Sequence, residues 1–175
     1  MPTWSGMRKK LEEEYLCTSL RGRIRYFVTR YRESHDQEGR VAILMDGKEI
    51  LQSSYIAYAK DFHCRWCALR QNVPSDTEDT SDAFFRAGKE AVDNGCFDRR
   101  HFYDAFYIFD NQSIEESLSS DNPLVRVFAL LDRRVGKRSL LALAEKMEQE
   151  LPWVQVFYML RLDAEGMMPA LKYQQ

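Results

Sequence analysis

An α+β fold is predicted: a small three-stranded antiparallel meander with flanking helices, followed by an all-helical bundle of about six helices. Three observations carry this. Residues 23–51 alternate β-branched and aromatic residues with polar ones and contain Asp46-Gly47, a two-residue hairpin signal. Residues 82–166 instead show apolar positions at helical spacing between capping signals. The acidic stretch NVPSDTEDTSD, residues 72–82, separates the two patterns. The expected organisation is a mixed subdomain at 1–72, a linker at 73–82 and a helical subdomain at 83–175, with a single compact domain as the alternative.

The elements follow in order. Residues 5–16 make a short helix with Met7, Leu11, Tyr15 and Leu16 on its apolar side, and Trp4 pins its start. After Gly22 a strand places Ile24, Tyr26 and Val28 on one face and Arg23, Arg25, Phe27, Thr29 and Tyr31 on the other. A second strand at 41–45 and a third at 49–51 complete the meander. Ser53 or Ser54 caps a helix whose stripe of Tyr55, Ala59, Phe62, Trp66 and Leu69 is expected to cover the meander. Asp82 caps a helix with Phe84, Phe85, Ala87, Ala91 and Val92 inward, ended by Gly95. Asp98 caps the next, with Phe102, Ala105, Phe106 and Phe109 inward.

Residues 113–138 are the most densely signalled stretch. Ser113 and Glu116 form a capping box, and Asp121 or Asn122 caps a central helix with Pro123 in its first position. Leu124, Val125, Val127, Phe128, Leu130 and Leu131 leave that helix almost no polar side. Gly136 is expected in a left-handed conformation past its end, where Arg133, Arg134, Lys137 and Arg138 complement the helix dipole. Ser139 caps a helix ended by Pro152, which begins a last helix that Gly166 closes.

A chain of 175 residues with 45% hydrophobic content can bury an ordinary globular core. A net charge of -2 and a pI of about 6.0 give the whole molecule no electrostatic pull toward nucleic acid or an acidic membrane. No apolar run approaches a membrane span, the amino terminus lacks the apolar centre of a signal peptide, and four irregularly spaced cysteines do not form a disulfide framework. A cytoplasmic protein with reduced thiols is expected.

The segments RGRIRYFVTRYRE, SDNPLVRVFALLDRRVGKRSL and LPWVQVFYMLRLDAEG together resemble a family of small uncharacterised bacterial proteins. The resemblance implies a bacterial, cytosolic protein and carries no activity, substrate or catalytic residue.

Three constellations could carry function. His63, Cys64 and Cys67 offer three metal ligands on one helix, but zinc needs a fourth, and Cys67 reads equally as a small buried apolar residue beside Trp66. A cysteine enzyme would need a thiolate-stabilising neighbour, for which Arg65 or Arg70 is available, and an orienting group that is not visible. Arg23, Arg25, Phe27 and Tyr31 share a strand face that could meet phosphates and stacked bases, or could pack under a helix with the arginines paired. Arg133, Arg134, Lys137 and Arg138 surround a glycine-containing turn that could contact nucleic acid or a partner, or simply cap helices and pair with Asp132, Glu145 and Glu148. No carboxylates converge as an acid and base, and no phosphate loop, HExxH or nucleophile elbow occurs. No catalytic residue and no cofactor are expected. The expectation is a non-enzymatic protein-interaction or regulatory module, with a protein partner or a homo-oligomer, because nine tyrosines, ten phenylalanines and three tryptophans exceed what inward stripes absorb. A nucleic-acid binder and a metal protein or enzyme are the alternatives; no membrane contact is expected.

Overall fold

A computed structural model describes residues 3–30, 39–71 and 80–168. The first helix, α1 (Trp4–Lys9), is capped by the Thr3 hydroxyl and runs into a π-helix, Lys10–Tyr15. The wider π turn brings the consecutive residues Leu11 and Glu12 both into the interior. A three-residue turn, Thr18–Leu20, leads to the sheet.

Strands β1 (Ile24–Val28), β2 (Arg40–Met45) and β3 (Lys48–Ser54) form the antiparallel meander in the order β1-β2-β3. Asp46 and Gly47 turn with φ of 49° and 81°, the twist-matched hairpin geometry that dipeptide favours. Tyr26 stands opposite Ile43, and Ile43 opposite Leu51. Ile24 and Tyr26 are buried while Arg25 and Phe27 face out, as the alternation requires.

Helix α2 (Tyr55–Gln71) follows β3 without a turn. Then come α3 (Thr80–Asp93), α4 (Arg99–Asp110), α5 (Ile114–Leu118), α6 (Pro123–Leu131), α7 (Lys137–Ala142), α8 (Ala144–Glu148) and α9 (Pro152–Ala164). Asp98 caps α4, Ser113 and Glu116 box α5, and Asn122 caps α6 ahead of Pro123, so these three starts agree with the sequence. Every residue of α6 except Arg126 is buried. Arg126 makes a bidentate ion pair with Glu150, with contacts of 2.8 and 2.7 Å.

Phe128 of α6 is at the centre of the core. Its ring packs edge-on against Phe102 (5.2 Å), Tyr26 (5.8 Å) and Phe109 (5.8 Å). Residues from both sides of the acidic stretch thus share one apolar cluster. The N-terminal segment is stitched to the exit of α6: Cys17 N–H donates to Leu131 O at 3.0 Å, and Arg133 N–H to Tyr15 O at 2.7 Å. Arg161, buried on α9, donates to the carbonyls of Leu131 (3.4 Å), the last residue of α6, and of Val135 (2.9 Å) in the turn that follows it.

Four local expectations are corrected. Helix α2 does not cover the meander; α4 and α6 do, with Phe102 and Phe128 against Tyr26, and α2 lies along α3 instead. Because β3 runs straight into α2, the strand's end sets the direction of the helix and carries it off the sheet. Phe84 and Phe85 are not inward, since α3 starts at Thr80 and turns Ala83, Ala87, Ala91 and Val92 to the interior. Gly136 is extended (φ -82°) and precedes α7, so α6 ends at Asp132. The Asp132 carboxylate accepts from Arg134 N–H at 2.7 Å, which tightens the exit without a left-handed residue. The helix expected to start at Ser139 begins at Lys137 and divides into α7 and α8.

Candidate functional site

α2 and α3 form a helical pair whose aromatic residues are only partly used. None of the 17 residues of α2 is buried. Tyr58 and Phe62 stack at 5.9 Å, and Phe84 meets Phe62 edge-on at 4.9 Å. Phe85 stands at right angles to Phe84, with ring centres 6.1 Å apart. Phe84 remains 50% and Phe85 72% exposed.

These rings wall an open groove of about 400 Å³, closed on its other sides by Val92, by His101 of α4 and by the start of α6 at Asp121, Asn122 and Pro123. His101 is oriented from behind. Its Nδ1 lies 2.7 Å from Oδ1 of the buried Asp98, and its ring packs on Tyr58 at 4.4 Å. The same nitrogen is 3.2 Å from the Asp98 backbone N, so the aspartate holds the ring through both its carboxylate and its amide. Burial opposes ionisation of Asp98, but His101 and the amides of His101 and Arg100 hold its carboxyl below the usual range. Burial, then the charge of Asp98, pushes the Tyr58 hydroxyl up.

The groove's charges do not cancel. Lys89 is neutralised by Asp93 at 2.7 Å, whereas Asp121 has no hydrogen bond or ion pair among the described residues. Asp121 also borders a smaller polar cleft that continues toward the Arg126–Glu150 pair, so this carboxylate, unpaired among the described residues, lies where the apolar groove meets the polar one.

The residues singled out by sequence are already engaged in large part. Arg23 grips Asp46 through two contacts of 3.1 and 2.8 Å, and Arg25 pairs with Glu12 at 2.7 Å. Phe27 lies under the Arg40 guanidinium at 5.4 Å, and Tyr31 falls outside the described residues. Arg134 pairs with Asp132 at 2.8 Å and covers the rings of Tyr15 and Phe109. Lys137 donates to the Glu165 carbonyl at 2.9 Å, while Arg133 and Arg138 extend into solvent. His63 Nε2 is 3.6 Å from Cys67 Sγ, with Cys64 exposed nearby on α2. Among the described residues, no three His, Cys, Asp or Glu side chains are grouped to hold a metal ion.

By sequence, Phe84 and Phe85 belong to the core, Asp98 is a cap only, Asp121 is an alternative cap, His101 is one of four distant candidates for a fourth metal ligand, and Tyr58 carries no signal. One signal was available: adjacent residues on a helix are about 100° apart, so Phe84 and Phe85 could not both point to the centre of one face.

Residues 3–162 match the model of the SF0329 protein family. No curated protein and no solved structure matches the chain. No helix among the described residues is long and apolar enough to cross a membrane.

Proposed function

The chain belongs to the SF0329 protein family, and from that premise and the groove we propose a non-enzymatic protein-interaction module that takes up an apolar, basic segment of a partner protein. The observation that supports this is the pairing of uncovered rings, Phe84 and Phe85, with one uncompensated carboxylate, Asp121. Covering a side chain as open as Phe85 contributes about 2 kcal/mol, roughly thirtyfold in affinity. Lys89 is held by Asp93, so an acidic partner segment would meet net negative charge, whereas a lysine or arginine would meet Asp121, which has no partner among the described residues. The ion pairs that occupy Arg23 and Arg25 favour this reading over nucleic-acid binding through β1.

The test uses defined probes. An amidated amphipathic peptide of Leu and Lys and its Leu and Glu counterpart are titrated against the protein, its Phe85→Asp variant and its Asp121→Asn variant. The basic peptide should bind at least tenfold more tightly than the acidic one, Phe85→Asp should abolish binding, and Asp121→Asn should remove most of the discrimination. Binding indifferent to Phe85→Asp, or discrimination unchanged in Asp121→Asn, overturns the proposal. Sedimentation velocity covers another occupant: concentration-dependent dimers lost in Phe85→Asp would make a second copy the ligand and end the peptide reading.

A further inference from the structure

The His63, Cys64 and Cys67 cluster lies on α2 and is not among the residues that line the groove. Cys64 is exposed and Cys67 is half-buried. The neighbour of the Cys67 thiol is an imidazole, not a guanidinium: His63 Nε2 is 3.6 Å from Sγ, while Arg65 is held by Asp61 at 2.5 Å and Arg70 lies over Trp66 at 5.0 Å. A nearby imidazole can accept a thiol proton, and the thiolate is the nucleophilic form. Residues three apart on a helix have Cα atoms about 5 Å apart, within the roughly 4.4–6.8 Å that a disulfide spans.

We propose that α2 carries a peroxide-sensitive dithiol in which Cys67 is oxidised first and Cys64 resolves it. The Cys67 proton passes to His63 and the thiolate attacks one oxygen of hydrogen peroxide. The O–O bond breaks, the sulfur becomes a sulfenic acid, and the departing hydroxide takes a proton to leave as water. Cys64 then attacks that sulfur, the S–O bond breaks, and a second water leaves with the Cys64 proton. Two thiols and one peroxide thus give one disulfide and two waters, with the sulfurs losing the two electrons that the peroxide gains.

The other two cysteines provide internal controls. Cys17 is buried, and burial pushes the Cys96 thiol up, so both should react more slowly. The product has a structural consequence. A disulfide draws the Cβ atoms to about 3.8 Å, which tightens the helical turn between Phe62 and Trp66, two rings that pack on Phe84.

The test treats the reduced, purified protein with hydrogen peroxide, blocks remaining thiols and maps peptides by mass. A Cys64–Cys67 disulfide should appear before any change at Cys17 or Cys96. In Cys64→Ser, Cys67 should stop as a sulfenic acid trapped by dimedone. His63→Gln, an exposed substitution whose folding circular dichroism checks, should slow disulfide formation several-fold. Oxidation of Cys96 or Cys17 at the same rate, an unchanged rate in His63→Gln, or no dimedone adduct at Cys67 in Cys64→Ser overturns the proposal.

Discussion

Glu12 Oε1 accepts the backbone N–H of Tyr26 at 2.9 Å, so a side chain on the π-helix occupies the open edge of the sheet. The other carboxylate oxygen takes Arg25 at 2.7 Å. An unpaired strand edge invites another chain, and here the middle of the β1 edge, at Tyr26, is taken by a buried acceptor. Glu12→Ala leaves the buried Tyr26 N–H unsatisfied and should cost about 2 kcal/mol. Glu12→Gln keeps an acceptor and should lose clearly less. Urea unfolding of the two variants checks this; equal losses would mean that Glu12 acts through its charge alone.

Phe128→Ala should cost about 3–5 kcal/mol, because its ring touches three others that leave little room for collapse. The same variant probes how the two parts of the chain are coupled. Trp4 packs on Phe102 at 6.1 Å, and Trp153 on Phe97 at 6.1 Å, so tryptophan variants report separately on the N-terminal segment and on the last helix. We propose that the chain unfolds as one unit, in which case Phe128→Ala shifts both reporters' midpoints together. Two separated transitions would support independent subdomains.

Much of this core could be read from local chemistry. Asp98, Ser113 with Glu116, and Asn122-Pro123 announce helix starts through contacts made within a few residues, so no tertiary information was needed. Asp46-Gly47 fixed the hairpin for the same reason. The stripe on α2 shows the limit: periodicity says which side of a helix is apolar, not what covers it, and an uncovered docking face has the same pattern as a buried one. Gly136 failed differently. A buried aspartate at 132 paired with Arg134 closes α6 just as well as a left-handed glycine, and that pairing depends on the fold around it. The place of His101 in the groove gave no signal, because it follows from Asp98 behind it and Tyr58 beside it, which only the folded chain brings together.

Alkaline stability should depend on Tyr15. Its hydroxyl donates to Asp110 at 2.5 Å, and burial, then that hydrogen bond and the Asp110 charge, push it up to about 12. The folded state therefore favours the protonated phenol. Its contribution is complete below the unfolded value near 10 and is lost as pH rises toward about 12. Tyr15→Phe should accordingly lose less stability over that interval than the parent protein. Tyr26, which burial pushes up further, is common to both and sets the remaining slope. At the acid end the sign reverses: burial opposes ionisation of Asp110, but Lys10 and Tyr15 hold it below the usual carboxylate range, so its contribution fades as pH falls below about 4. Identical alkaline slopes in Tyr15→Phe and the parent would show that the Tyr15–Asp110 hydrogen bond is not maintained in solution.

Gly39 and Gly136 should respond oppositely to the same substitution. A Cβ built on Gly39 would lie 1.7 Å from the Thr29 carbonyl oxygen and 2.5 Å from its carbon, both backbone atoms that cannot rotate away. This is where the entry to β2 presses on the exit from β1, next to the Thr29 N–H to Arg40 O bond of 2.9 Å. Gly39→Ala must part the two backbones or break that bond, and should cost at least ~2 kcal/mol. Gly136 has an ordinary negative φ and open space where its Cβ would point. Gly136→Ala should stay within about 0.5 kcal/mol of the parent, or rise slightly through lost freedom in the unfolded chain. Thermal unfolding of the two variants side by side decides it. If Gly39→Ala proves as mild as Gly136→Ala, the close crossing of β1 and β2 at Thr29 is wrong.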